Sequence, residues 1–161
     1  MTSAALPDQV TSSLNLLSPY PGRVFANNWK GRFPHLMPVD TRIWLRFLDK
    51  FGSGYLGFQY DIMVGQGAKS LPGFSDADKR LLYSLTVKRA DALGITEGGI
   101  TLFEVKPRLG MAGLGQLVAY NLLWYREYGN RRPVQVAIVC EQDEPDLNYV
   151  VDVLGFQRFV V

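Results

Sequence analysis

The sequence predicts a single α/β domain, a three-layer sandwich in which helices cover a central mixed β-sheet, with the element order α-β-β-β-α-β-α-β. Two observations lead to this prediction. Segments with apolar residues three and four positions apart, typical of amphipathic helices, alternate along the chain with short apolar runs typical of strands. The chain of 161 residues is also long enough to bury one core without a disulfide or a structural metal.

The first helix is predicted to begin at Asp40, a suitable N-cap, and to end at Gly52. Its apolar residues have helical spacing: Ile43, Trp44, Phe47, Leu48 and Phe51. The segment GFQYDIMVGQG, residues 57–67, is rich in aromatic and β-branched residues and ends in glycines, which predicts a strand.

A β-hairpin is predicted next. A strand of about eight residues is expected from Leu81. The turn TEGG, residues 96–99, connects it to a second strand that Pro107 closes. The helix that follows has apolar residues on one face and Gly129 or Asn130 as its C-cap: Leu114, Leu117, Val118, Leu122 and Tyr125.

The last part of the chain predicts a strand, a helix and a strand. The run VQVAIVCEQ, residues 134–142, is apolar throughout, as expected of a strand buried on both faces. Its Cys140 is the one cysteine of the chain and is interpreted as a small buried apolar residue, which excludes an internal disulfide. The segment 144–155 reads as a helix, and 156–161 as a short strand.

Composition and the N-terminal segment narrow the possible functions. Apolar residues make up 47% of the chain and the net charge is +2, which is ordinary for a globular protein. The first residues lack the pattern of a signal peptide, and no apolar run approaches the ~18 residues of a membrane span. We therefore expect a cytoplasmic protein that does not contact a membrane.

Residues 1–38 are rich in Ser, Pro, Asn and Gly and are predicted to form a loop-rich arm, with the folded domain at 39–161.

Two charged residues interrupt the apolar strand ITLFEVKP, residues 100–107. Because strand side chains alternate, Glu104 and Lys106 should project to one face, and Phe103 and Val105 to the other. We therefore expect one charged face and one apolar face. A solvated face with a salt bridge is the simplest interpretation, since a Glu-x-Lys triplet arises by chance in about every second chain of this length.

Asp91 favours a more specific interpretation. It lies on or near the partner strand of the predicted hairpin, so the carboxylates of Asp91 and Glu104 can approach each other. Two carboxylates and a main-chain carbonyl, that of Val105, form an oxygen-rich site that suits Mg²⁺ or Mn²⁺. An ammonium beside such a metal, here that of Lys106, can hold a water molecule or stabilise a developing negative charge.

Three motifs together resemble the PD-(D/E)XK nuclease superfamily. They are RAD at 89–91, FEVK at 103–106 and a helix that opens with GQLVAY at 115–120. The resemblance extends over roughly residues 40–142 and implies a restriction-endonuclease-like fold, a Mg²⁺-dependent or Mn²⁺-dependent hydrolase activity and DNA as the substrate. It also implies a set of site residues: Asp91, Glu104 and Val105 as metal ligands, Lys106 as a catalytic residue, and Gln116 and Tyr120 as the Gln-x-x-x-Tyr pair of the exonuclease-like members.

The sequence departs from the superfamily pattern at two places. Ala90 stands where the family has a proline, which is a common variation. Many members also carry an acidic residue or a histidine on the first helix, and three residues remain open as candidates: Asp40, Asp49 and His35. For Asp49 an exposed ion pair is the simpler interpretation.

Basic residues surround the motif. Lys88, Arg89 and Arg108 could bind the phosphates of a DNA backbone, although solvated surface charge explains them equally well.

A second function from a different class also stays open. The fold could serve as a structural component of a bacteriophage particle, such as a head-to-tail connector or neck protein, in the host cytoplasm or in the virion. In that case the N-terminal arm would contact phage structural proteins or a second copy of the chain, through Leu6, Val10, Leu14, Leu16 and Leu17.

Overall fold

The computed structural model describes residues 14, 16–129 and 134–161. Six strands form one sheet, in which their order follows the chain. Strands β1 to β4 pair antiparallel, whereas β5 and β6 continue the sheet in parallel with β4, so the predicted mixed sheet is confirmed. The strands are β1 (Phe25–Ala26), β2 (Gly57–Val64), β3 (Lys88–Ile95), β4 (Ile100–Arg108), β5 (Val134–Gln142) and β6 (Gln157–Val160).

Helices cover both faces of the sheet, which confirms the predicted three layers. The α-helices whose full extent is described are α1 (Pro38–Phe51), α2 (Asp76–Thr86), α3 (Met111–Tyr128) and α4 (Pro145–Val153). Helix α1 packs on one face, and α3 and α4 pack on the other. The observed element order contains an edge strand, β1, and a helix, α2, that the sequence did not predict. No helix in the described part of the chain is both long enough and apolar enough to cross a membrane.

Helix α1 begins two residues before its predicted start. Its N-cap is Met37 and Pro38 occupies the first turn, where a missing N–H costs nothing. Asp40 is therefore not the cap but lies within the first turn, where its charge is favourable toward the helix dipole. Gly52 ends the helix as predicted.

Trp44 is at the centre of the α1 layer, and we expect its replacement by alanine to destabilise the fold strongly. Its ring stacks on Phe47 with centroids 4.7 Å apart, and its Nε1 donates to the Tyr60 hydroxyl at 3.2 Å. Trp44→Ala creates a cavity, so the free energy of unfolding should fall by about 3–5 kcal/mol in urea denaturation. Tyr149→Ala, at an exposed position, should change it by less than about 0.5 kcal/mol. A loss at position 44 no larger than this control would contradict the packing described.

The strand predicted from Leu81 is wrong, because residues 76–86 form helix α2 and β3 starts at Lys88. A capping box begins the helix. The Ser75 hydroxyl accepts the N–H of Asp78, and the Asp78 carboxylate accepts the N–H of Ser75. None of the residues of α2 is buried, so local capping rather than core packing determines this element.

The alternation in β4 is confirmed, since Phe103 and Val105 face the α1 core and Glu104 faces α3, but the expectation of a charged, solvated face is wrong. Both faces of β4 and β5 lie in apolar cores, because α1 covers one face and the crossover helices α3 and α4 cover the other. Cys140 is buried within β5, as predicted.

In β2 the even-numbered side chains change from one face of the sheet to the other at Asp61. Phe58 and Tyr60 face the α1 core, whereas Ile62 and Val64 face the core under α3.

Helix α3 is buried along a different stripe from the one predicted. Leu114 and Leu117 face the core as expected, but Leu122 and Tyr125 are exposed. Tyr120 and Trp124 take the buried positions instead. Gly129 serves as the C-cap with φ of 60°, a backbone conformation that glycine adopts without strain.

Described residues before α1 pack on this chain's own domain. Leu14 is buried and Leu17 packs against the core, so the expectation that these two face a neighbouring subunit is wrong. The Ser18 hydroxyl donates to Gln59 at 2.6 Å, and β1 pairs with β2. Leu16 is exposed, and Leu6 and Val10 lie outside the described residues. The boundary between arm and domain at residue 38 stays a prediction.

Candidate active site

The site lies where strands β3 and β4 separate. Their pairing ends at Ala92 opposite Phe103, so Asp91 and Glu104 would form the next pair of the ladder. Instead, the main-chain N–H of Val105 donates to Oδ2 of Asp91 at 2.7 Å. The Asp91 carboxylate thus replaces a main-chain partner and enters the gap between the two strands.

Glu104 is buried beneath α3, with 1% of its surface exposed. A buried carboxylate is costly unless its oxygens have partners, and here both have them. Lys106 Nζ lies 2.5 Å from Oε1, and the Tyr120 hydroxyl lies 2.9 Å from Oε2. The Lys106 side chain is 35% exposed, so its ammonium connects the buried carboxylate with the surface.

Gln116 and Tyr120 lie one turn apart on the face of α3 that meets the sheet. Gln116 Nε2 donates to the Tyr120 hydroxyl at 3.0 Å. That hydroxyl also lies 2.6 Å from the main-chain carbonyl oxygen of Arg89. Because it carries one hydrogen, it donates either to this carbonyl or to Glu104. The structure therefore brings all five residues predicted as catalytic into one cluster: Asp91, Glu104, Lys106, Gln116 and Tyr120.

Burial and mutual repulsion perturb the two carboxyl groups. Burial, followed by the charge of Glu104, raises the pKa of Asp91 to about 7. Burial also raises the pKa of Glu104, against the opposing effect of its hydrogen bond to Lys106. Burial alone would lower the pKa of Lys106, but the hydrogen bond and charge of Glu104 outweigh it and raise that pKa. When both carboxyl groups are ionised, the site contains more negative charge than one ammonium can compensate.

Of the three first-helix candidates, Asp40 interacts with the cluster. Burial raises its pKa, and Lys106 opposes that shift. The charge of Asp40 in turn contributes to the raised pKa of Asp91. Asp49 forms an exposed ion pair with Lys30 at 2.8 Å, which agrees with the exposed ion pair expected from the sequence.

His35 belongs to a second polar cluster that the sequence did not reveal. Its Nε2 lies 3.1 Å from Oδ2 of Asp61, and Nη1 of Arg89 lies 2.5 Å from Oδ1 of the same carboxylate. His35 and Asp61 have φ of 60° and 58°, a left-handed conformation that is uncommon for residues other than glycine. The Tyr20 hydroxyl donates toward the Asp61 carbonyl at 3.3 Å. Asp61 is thus linked to the cluster of five predicted residues through Arg89, whose guanidinium contacts Asp61 and whose main-chain carbonyl contacts Tyr120.

The three residues predicted to bind phosphate have different environments. Lys88 is exposed at the start of β3. Arg89 is half-buried, and its guanidinium contacts Asp61 and the Ser84 carbonyl. Arg108 is exposed at the end of β4. Lys88 and Arg108 are thus accessible to a ligand, whereas Arg89 is already paired.

The oxygen atoms at the site suit a hard divalent cation that is bound by only a few protein ligands. Among the described residues, no group of three or more His, Cys, Asp or Glu side chains is placed to hold a metal. Asp91 Oδ1 makes no hydrogen bond within the described chain, so this oxygen can act as a ligand. The N–H and C=O of one strand residue point to the same side, so the Val105 carbonyl faces the gap that Asp91 enters. Glu104 would supply a second carboxylate. Mg²⁺ characteristically keeps several water ligands, so this set suits it.

Comparisons with known proteins give remote structural similarity. No known protein family and no curated protein matches the chain. A solved repair endonuclease from Pyrococcus abyssi matches 64% of this chain at 15% identity, with a TM-score of 0.40, and the chain spans 39% of its length. The endonuclease EndoMS in complex with double-stranded DNA matches 81% of the chain at 15% identity, with a TM-score of 0.46, and the chain spans 48% of its length. The chain thus spans less than half of either protein.

Proposed function

We propose that the protein is a metal-dependent nuclease that hydrolyses phosphodiester bonds of DNA. The observation that carries this proposal is the gap between β3 and β4. There a buried Glu104 carboxylate lies 2.5 Å from Lys106 Nζ, and the Asp91 carboxylate accepts the Val105 N–H. Two buried carboxyl groups with raised pKa values beside an accessible ammonium are an arrangement suited to a cation and a phosphate.

Asp91, Glu104 and the Val105 carbonyl would hold Mg²⁺ or Mn²⁺. A divalent cation bound by them lowers the pKa of a water molecule and offsets negative charge on a phosphoryl group. Lys106 keeps its proton, because Glu104 raises its pKa, and its ammonium can donate to the attacking water or to a phosphate oxygen.

Gln116 and Tyr120 would act as positioning residues. The Tyr120 hydroxyl fixes Oε2 of Glu104, and Gln116 fixes that hydroxyl. Burial, followed by the charge of Glu104, raises the pKa of Tyr120, so the phenol keeps its proton at neutral pH. Asp40 adds negative charge at the edge of the cluster through its position in the first turn of α1.

The proposal is tested by incubating purified protein with labelled single-stranded and duplex DNA in Mg²⁺, in Mn²⁺ and in EDTA. Cleavage in either metal and none in EDTA is the expected result. Absence of cleavage under all conditions, by protein whose folding has been verified, would refute the proposal. The double variant Asp91→Asn, Lys106→Ala controls for contaminating nucleases.

Metal removal should reveal the raised pKa of Asp91. Ionising this buried group is harder in the folded protein than in the unfolded chain, since its pKa rises from 3.8 to about 7. Its contribution to stability is therefore present at low pH and is lost as the pH rises through about 7. A bound cation needs the ionised carboxylate, so the increase in Tm caused by Mg²⁺ should be larger at about pH 8 than at about pH 6. Thermal unfolding with Mg²⁺ and with EDTA measures this, and an equal increase at both pH values contradicts it.

A further inference from the structure

A groove runs along helix α3 toward the candidate catalytic residues. It consists of two cavities of about 390 Å³ and 480 Å³ that share Lys88 as a lining residue. One wall is a stripe of α3 residues three and four positions apart: Ala112, Gln116, Ala119, Leu123 and Arg126. The opposite wall is the end of α2, the start of β3 and the loop after β2. We call this feature the α3 groove.

The α3 groove extends along the protein surface to two residues of the candidate site, Gln116 and Tyr120. From Ala112 to Arg126 the helix rises about 21 Å, so the groove is long enough for several nucleotides of an extended strand. Its outer cavity is bordered by Arg126 and by Gly65 and Gly67 in the loop after β2. Its inner cavity is lined by Gln116 and Tyr120, and Tyr120 contacts Glu104. A chain that occupies the groove therefore reaches Tyr120, which contacts the buried Glu104 carboxylate.

The charge of the α3 groove matches a polyanion. Lys88, Arg89 and Arg126 line it, and among the described residues no Asp or Glu lines either cavity. The carboxylate of Glu127, beside Arg126, accepts the main-chain N–H of Gly65. Arg89 is paired with Asp61, so Lys88 and Arg126 are the cations available to phosphates.

The size of the α3 groove suits a single strand. Cavities of this volume are typical of small-molecule sites, and they are large enough for single nucleotides. The aromatic ring of Tyr83 flanks the outer cavity, with Cδ2 3.3 Å from the position of a Cβ built on Gly67. A half-exposed aromatic side chain beside cations is a recurrent feature of surfaces that bind single strands, because bases stack on such rings.

We propose that the α3 groove binds single-stranded DNA, with Lys88 and Arg126 holding phosphates and the small side chains of α3 leaving room for the strand. The inference rests on the proposed function for the reaction that follows, but binding is measurable without cleavage. The inference adds a substrate class, DNA with a single-stranded segment, to the proposed function. It also adds Arg126, which the sequence did not indicate as a functional residue.

The test measures binding of a fluorescent oligothymidylate of about twenty nucleotides in EDTA, with a duplex of equal length as competitor. Wild-type protein should bind the single strand at least about tenfold more tightly than the duplex. Lys88→Gln and Arg126→Gln should each weaken single-strand binding about three- to tenfold and lower the slope of log K against log salt concentration by about 0.7. The matched controls Lys79→Gln and Arg42→Gln remove charges outside the groove and should leave both quantities unchanged.

A steric variant separates the groove from general surface charge. A Cβ added at Gly115 meets no atom within 4 Å, so Gly115→Leu extends into the inner cavity without disturbing the core. Leucine also favours helix over glycine by about 1 kcal/mol, so folding should be maintained. We expect at least about tenfold weaker single-strand binding for this variant. Gly98→Leu, at a turn position with equal space, is the control.

The outcomes distinguish this inference from the proposed function. If the protein cleaves DNA in Mg²⁺ but the Lys88, Arg126 and Gly115 variants bind as the wild type does, the α3 groove is not the binding site. The nuclease proposal would still stand. Selective single-strand binding that these variants weaken, without cleavage by the wild type, supports the groove and refutes the nuclease proposal. Preference for duplex, or no binding of either probe, overturns the inference.

Discussion

Lys106→Ala should reduce the rate of DNA cleavage by about 10²–10³-fold, the usual effect of removing a preorganised donor from a developing negative charge. Mg²⁺ binding should change little, because an ammonium cannot be a metal ligand. Single-turnover kinetics at saturating DNA measure the first quantity, and Mg²⁺ titration followed by thermal unfolding measures the second. A variant that cuts DNA at the wild-type rate would contradict the role assigned to Lys106.

Loss of the ammonium also leaves one oxygen of Glu104 without its partner in a buried position, so part of the effect could come from lower stability. Lys106→Gln separates the two effects. The glutamine amide can still donate to Glu104 but carries no charge, so this variant should fold better than Lys106→Ala and remain nearly inactive. Lys79→Ala, an exposed lysine on α2, should retain wild-type activity.

Asp91→Asn should abolish both cleavage and the increase in Tm caused by Mg²⁺, since the amide replaces an ionised ligand with a neutral one. The fold should persist, because the side-chain carbonyl of asparagine can still accept the N–H of Val105. Above about pH 7 the variant should be at least as stable as metal-free wild type, since it carries no buried charge next to Glu104.

The matched control for this change is Asp49→Asn, which removes a carboxylate from an exposed ion pair on α1. It should cut DNA and respond to Mg²⁺ as the wild type does. If Asp91→Asn still gains stability from Mg²⁺ as the wild type does, the cation binds elsewhere and the proposed ligand set is wrong.

The sequence predicted those parts of the site that depend on local alternation. Glu104 and Lys106 share a face because they are two residues apart in a strand, and Gln116 and Tyr120 share a face because they are one helical turn apart. Their burial was not predictable from this pattern. A strand with helices on both sides has no solvent face, and that arrangement depends on where α1 and the crossover helix α3 pack rather than on the residues of β4.

Helix α2 was missed although its signal is present in the sequence. Ser75 and Asp78 form a capping box three residues apart, and this pattern marks a helix start. The run from Leu81 to Thr86 was read as a strand because its apolar and β-branched content is typical of strands. The left-handed backbone of His35 and Asp61 had no such signal, since each depends on partners distant in sequence. The pairing of Arg89 with Asp61 likewise had no local signal, because the two residues are distant in sequence.

The buried side chains of β2 change from one face of the sheet to the other at Asp61, and this affects how the protein unfolds. Strand β2 supplies Phe58 to the core under α1 and Ile62 to the core under α3, so the two cores share this strand as they share β3, β4 and β5. Neither helical layer can detach without exposing β2 side chains that are buried against it, and β3, which carries Asp91, pairs with β2. Partial unfolding that spares the candidate site is therefore disfavoured. The two cores and the cluster between them form one cooperative unit.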